Sequence, residues 1–157
     1  MEENITNITK SSSKFNARIA CIQALYSLVV DEKQNMDATI ENAIETLESD
    51  LNEDGSRNKV KKSFVQKLFK FVQDEKEALD VTIKKYAEKD LERSNQLVLC
   101  ILYTGLAELY IDQKTDRPII ISEYLKITSG FFDKSETGFV NVVLDKFVRD
   151  NPISKTA

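Results

Sequence analysis

Residues 133–148 read DKSETGFVNVVLDKFV, and the fold class follows from how this run is read. Asp133 followed three residues later by Glu136 has the pattern of a capping box, in which two side chains satisfy backbone donors at a helix start. The row Phe139/Val140, Val143/Leu144 and Phe147 then has the period of a helix that buries one face. Asn141 stands among these apolar residues, with Asp145 and Lys146 following, so the packed face has a short polar edge beside it. An Asn lowers helicity because its amide competes for nearby backbone groups. A structural bond to a neighbouring loop and a binding role explain Asn141 equally well.

Working outward, every neighbouring segment has the same helical grammar. Residues 91–112, LERSNQLVLCILYTGLAELYID, are apolar on nearly all sides, and Gly105 inside them permits close approach of another helix. Glu108 is the only charge between Arg93 and Asp112, so its carboxylate must reach solvent or find a partner. Asp116 and Pro118 suit the cap and first turn of the next helix, which carries Ile120, Ile121, Tyr124, Leu125 and Ile127 and stops near Gly130. Upstream, Val60, Phe64, Leu68, Phe71/Val72, Leu79, Ile83 and Tyr86 predict helix from Asn58, and where the apolar face is interrupted at residues 73–77 either two helices meet or, the favoured reading, one long helix bends near Asp74. Asp37 is the expected cap of a helix running to about residue 51, with Ile40, Ile44, Leu47 and Leu51 buried and Glu41, Glu45 and Glu48 in an acidic row. The first helix is expected over residues 14–31, burying Phe15, Ile19, Ile22, Tyr26 and Val29. Residues 1–13 read as a polar arm and 152–157 as a tail.

The expected architecture is therefore all-α, with six or seven helices in one domain spanning residues 14–151. Four Gly and two Pro in 157 residues agree with that and disfavour a turn-rich β fold. The net charge of −4 excludes a uniformly basic surface, but the charge is segregated. Residues 8–30 carry three bases and no acid, 37–54 carry seven acids and no base, and 57–73 carry six bases and no acid. Cys21 and Cys100 sit singly in apolar helical patterns and read as reduced core residues of a cytoplasmic protein. With no His, the commonest general base and metal ligand is missing. The start, MEENITNITK, lacks the apolar core of a signal peptide, and no run approaches the roughly 18 apolar residues of a membrane span.

Catalysis has little to stand on. The glycines are isolated, so none builds a phosphate-cradling loop, and the two cysteines have no spaced companions for zinc. No cofactor or metal is expected, and the chain does not read as an enzyme. Single-stranded RNA fits better, since it is held by a few cations on phosphates and by aromatic faces that stack bases. Lys10, Lys14 and Arg18 can meet phosphates, with Tyr26 or Phe139 as stacking faces. A solvated basic edge gives the same spacing, and Tyr26 and Phe139 lie on apolar rows as core residues do.

The order of phrases adds a resemblance. ARIACIQALYS at Ala17–Ser27, ISE at Ile121–Glu123 and FVNVVLD at Phe139–Asp145 are similar, in that order, to the phrases of the bacterial transcription antitermination factor NusB family. The resemblance implies two packed helical bundles, about 14–88 and 89–151, that bind the boxA element of ribosomal RNA operon transcripts. It also implies partnership with NusE, a small-subunit ribosomal protein, and with the RNA polymerase antitermination complex, away from any membrane. Arg18, Gln23 and Tyr26 match the family's first-helix motif; Phe139, Asn141, Leu144 and Asp145 match its closing motif; Glu108 and Glu123 match acidic positions assigned to partner contact. There are three departures. SSSKFNA stands where the family is often arginine-rich, Val142 replaces the glycine after the closing Asn, and Tyr103 replaces an arginine of the central helix at a partner-contact position.

Overall fold

The computed structural model describes residues 12–87 and 94–153, and among them the chain forms six α-helices and no strand. Lys10, most of the expected arm, the approach to the central helix at 91–93 and the end of the tail lie outside the described residues. The chain divides into two compact units, one ending at Lys70 and one beginning at Phe71. That division falls inside the third helix.

In the first unit, α1 (Ser13–Val30) packs against α2 (Met36–Ser49). Ser12 caps α1 by accepting from the Phe15 N–H at 2.9 Å, so the helix starts inside the segment expected as an arm. The buried face of α1 is Ala17, Ala20, Cys21, Ile22, Ala24 and Leu25. Of the row expected there, Ile22 is buried, Phe15 and Ile19 are half-buried, and Tyr26 and Val29 remain 39% and 43% exposed. The small residues allow another helix to come close, so the buried stripe is set by approach distance rather than by the largest side chains. Asn35, not Asp37, caps α2, accepting from the Ala38 N–H at 3.0 Å. Asp37 falls in the first turn instead, where its charge complements the helix dipole.

The chain leaves α2 at Asp50, so Leu51, expected on the buried face, is exposed and bridges to Arg57. Gly55 sits at φ 85° in the intervening turn, a backbone region that glycine enters without steric cost. Asn58 donates from its amide to the Leu47 and Asp50 carbonyls at 3.3 and 3.4 Å, closing the open end of α2. Residues 58–61 have no regular secondary structure, and α3 (Lys62–Ala87) begins four residues later than its apolar pattern suggests.

In the second unit, α4 (Gln96–Ile111) packs against both α5 (Arg117–Phe131) and α6 (Lys134–Asp150), which also pack on each other. Asn95 caps α4, accepting from the Leu97 and Val98 N–H groups at 2.9 and 3.3 Å. Every residue from Val98 to Leu109 is buried, as an all-round apolar helix requires. Gly105 lies against Leu144 and Tyr124, and a Cβ there would sit 3.4 Å from both side chains, which is the close approach expected of it. Asp133 is the N-cap of α6, but its side chain makes no capping bond, so the capping box does not close; Glu136 still lies in the first turn. The later part of α3 joins this unit through rings: Phe71 stacks on Tyr110 with centroids 5.4 Å apart, and Phe147 lies 5.2 Å from Tyr110 and 6.5 Å from Tyr86. The expected bend in α3 occurs at Glu75, whose φ −113° and ψ 18° interrupt the helical geometry. Both cysteines are buried free thiols, and burial pushes that of Cys100 up to about 12.

Candidate nucleic-acid interface

Two hydrogen bonds bring the basic runs of the first unit together. The Lys61 N–H donates to the Ser13 carbonyl at 3.1 Å, and the side-chain amide of Asn16 donates to the Lys59 carbonyl at 3.0 Å. The Lys61 carbonyl in turn accepts from the N–H groups of Phe64 and Val65, at 3.1 and 3.2 Å. One residue thus ties the start of α1 to the start of α3, across the whole acidic stretch that separates them in sequence.

Phe64 is the platform of this corner. The Lys14 Nζ lies 5.0 Å from its ring centroid and the Arg18 guanidinium carbon 5.8 Å, distances at which a cation is drawn to a ring face by about 0.5–2 kcal/mol. Lys14 and Arg18 do come together, but not on a solvated edge: Arg18 is only 6% exposed. Its planar, weakly hydrated guanidinium tolerates that environment in a way an ammonium does not. Lys59 and Lys61 are exposed beside them, while Lys62 pairs with Glu41. A side-chain hydrogen bond to Glu41 and its charge hold the Lys62 ammonium above its ordinary pKa. Neither α1 nor α3 carries an acid in its first turn, so the positive ends of both helix dipoles add to the corner. Farther along α1, Gln23 is half-buried, and Tyr26 is exposed about 12 Å beyond Arg18 along the axis.

The second unit holds the other expected residues. On α6, Asn141 is exposed, Phe139 is half-buried, and Asp145 accepts from Arg149 one turn on at 2.5 Å. Glu123 on α5 is half-buried and meets Lys126 at 3.3 Å. Glu108 and Tyr103, expected at a partner contact, have their side chains turned inward. Glu108 is fully buried and accepts from the Tyr124 hydroxyl at 2.7 Å, so this carboxylate finds a partner inside the fold. Tyr103 is buried and donates to Asp80; burial first, and that bond second, hold its phenol well above its ordinary pKa. An arginine at this position would not suit the apolar packing that the phenol ring supplies.

Phe64 was the residue least visible in the sequence, where it sits on an apolar row like any core ring. Its place three residues after a lysine at a helix start is the one local signal, and the Ser13–Lys61 contact has none. Among the described residues no group of three or more His, Cys, Asp or Glu is arranged to hold a metal ion, and no helix is long and apolar enough to cross a membrane.

Residues 15–149 match the sequence model of the NusB family. The transcription antitermination protein NusB of Rickettsia bellii (strain OSU 85-389) is 31% identical over 149 residues, covering 90% of this chain and 96% of that protein. The NusB protein of Rickettsia akari (strain Hartford) is 29% identical over 155 residues, covering 92% and 99%. Among solved structures, T. maritima NusB superposes with TM-score 0.74 at 18% identity over 92% of this chain and 95% of that one. A crystal structure of antitermination factors NusB and NusE in complex with dsRNA gives 0.72 at 19% identity over 88% and 98%. At such identities the structural likeness speaks to the fold.

Proposed function

The chain belongs to the NusB family, and on that premise we propose that it is a transcription antitermination factor that binds RNA. The RNA is boxA of ribosomal RNA operon transcripts, taken together with NusE, and the pair joins RNA polymerase in the cytoplasm. The observation that carries this reading is the corner where Lys14 and Arg18 share the Phe64 ring beside exposed Lys59 and Lys61. Cations grouped near a helix end are what a flexible phosphate chain needs. On this reading Lys14 and Arg18, with Lys10, neutralise phosphates, while Gln23 and Tyr26 contact bases. Phe139, Asn141 and Asp145 form a further RNA contact on their own unit, and Glu123 is the acidic residue left at the surface for the protein partner.

The burial of Arg18 favours a second reading, a helical protein adaptor with little RNA contact. An electrophoretic shift with boxA RNA, with and without NusE, separates the two. Retarded RNA that is lost in Lys14→Ala, with unchanged circular dichroism, supports RNA binding. Unretarded RNA in both lanes supports the adaptor.

A further inference from the structure

Between the turn at Gly55 and the start of α3 the chain forms no helix, and its exposure alternates as it does along an extended chain. Arg57, Lys59 and Lys61 are exposed, while Asn58 and Val60 between them are half-buried. The inward residues hold the segment down: Asn58 donates to the Leu47 and Asp50 carbonyls, and the Val60 N–H donates to Glu48 Oε2 at 3.4 Å. The three cations are thereby left on the outer edge. An extended chain rises about 3.3 Å per residue, so alternate side chains repeat at about 6.6 Å. That is close to the spacing of successive phosphates along a stretched single strand. The edge finishes at Lys61, whose N–H is bonded to Ser13, next to Lys14 on its Phe64 platform.

We propose that residues 57–61 form a phosphate-tracking strip that carries single-stranded RNA onward from the Lys14–Phe64 corner, so that the RNA held is longer than the element recognised. This rests on the RNA-binding reading above. The strip offers cations and no base-reading amide or ring on its exposed edge, so it is indifferent to sequence. Its far end is set by Glu53 and Asp54 in the adjoining turn; Asp54 accepts from the Ser56 N–H at 2.9 Å and from its hydroxyl at 2.5 Å. Past that point a phosphate meets carboxylates. Lys62 is outside the strip because it is paired with Glu41.

The test is fluorescence anisotropy over a salt series with two RNAs, boxA alone and boxA extended by single-stranded nucleotides of arbitrary sequence on either side. The wild-type chain is expected to bind an extended RNA more tightly and with a steeper salt slope. In Arg57→Gln/Lys59→Gln/Lys61→Gln the gain from extension disappears and the slope becomes shallower by about 2, as three lost single-strand phosphate contacts require. Lys59→Gln alone should show about a third of that change, and serves if the triple variant folds poorly. If the wild type binds boxA RNA but the variants keep the full benefit of extension, the strip is wrong and the RNA-binding reading stands. If the wild type binds neither RNA, both fall. Loss of NusE binding in the triple variant with RNA binding intact would make the strip a protein contact and overturn the proposal.

Discussion

Tyr103 shows how a single side chain decides what a helix can present. Its ring fills apolar space in α4 while its hydroxyl reaches Asp80 on α3, so one residue both packs and orients. Because the folded phenol titrates above its ordinary pKa of about 10, the stabilisation is fully present below that pH. It is lost as pH rises from there toward the folded value, since the unfolded chain releases its proton first. Tyr103→Phe should cost about 1 kcal/mol at neutral pH, and the gap from wild type should narrow in strongly alkaline solution. Urea unfolding of both proteins at neutral and alkaline pH measures this, and a gap that stays constant would count against it.

At the scale of elements, Gly105 marks where α4 lies against Tyr124 of α5 and Leu144 of α6. A methyl group there meets Leu144 and Tyr124 at 3.4 Å, an ordinary packing distance, and adding it gains about 1 kcal/mol of helix propensity. Gly105→Ala should therefore be neutral or slightly stabilising in thermal melts. Gly105→Val, whose branches have nowhere to go, should lose about 1–3 kcal/mol by overpacking. Equal losses for both would show that the helices are not in the contact described. The elements themselves were legible because helical periodicity survives in Val140, Val143, Leu144 and Phe147 whatever packs against them. Boundaries were less so: Asn35 and Asp37 are both good caps, and Asp133 holds the cap position without making the bond. The buried face of α1 was obscured because alanines at Ala17, Ala20 and Ala24 carry little hydrophobic weight, yet they are where close packing is possible.

At the scale of the molecule, the segregation of charge along the chain predicts what kind of surface exists but not where its parts meet. Lys14 and Arg18 could be picked out one turn apart; that they share Phe64 with a basic segment beyond the acidic helix depends on contacts far apart in sequence, which no local pattern records. Glu108, left in sequence between reaching solvent and finding a partner, is fully enclosed, and Tyr124 from the next helix supplies its donor. Net charge alone gives no sign of this basic corner.

The amide of Lys61 reaches across to Ser13, a latch between the first turn of α1 and the entry to α3. Anything that settles on either side of it slows the release of both, and deuterium uptake at these positions becomes a built-in gauge of occupancy. With boxA RNA bound, the Lys61 amide should exchange several-fold more slowly while the amides at the Glu75 bend keep their pace. Equal slowing at both places would point to general tightening of the chain instead of a hand on the latch.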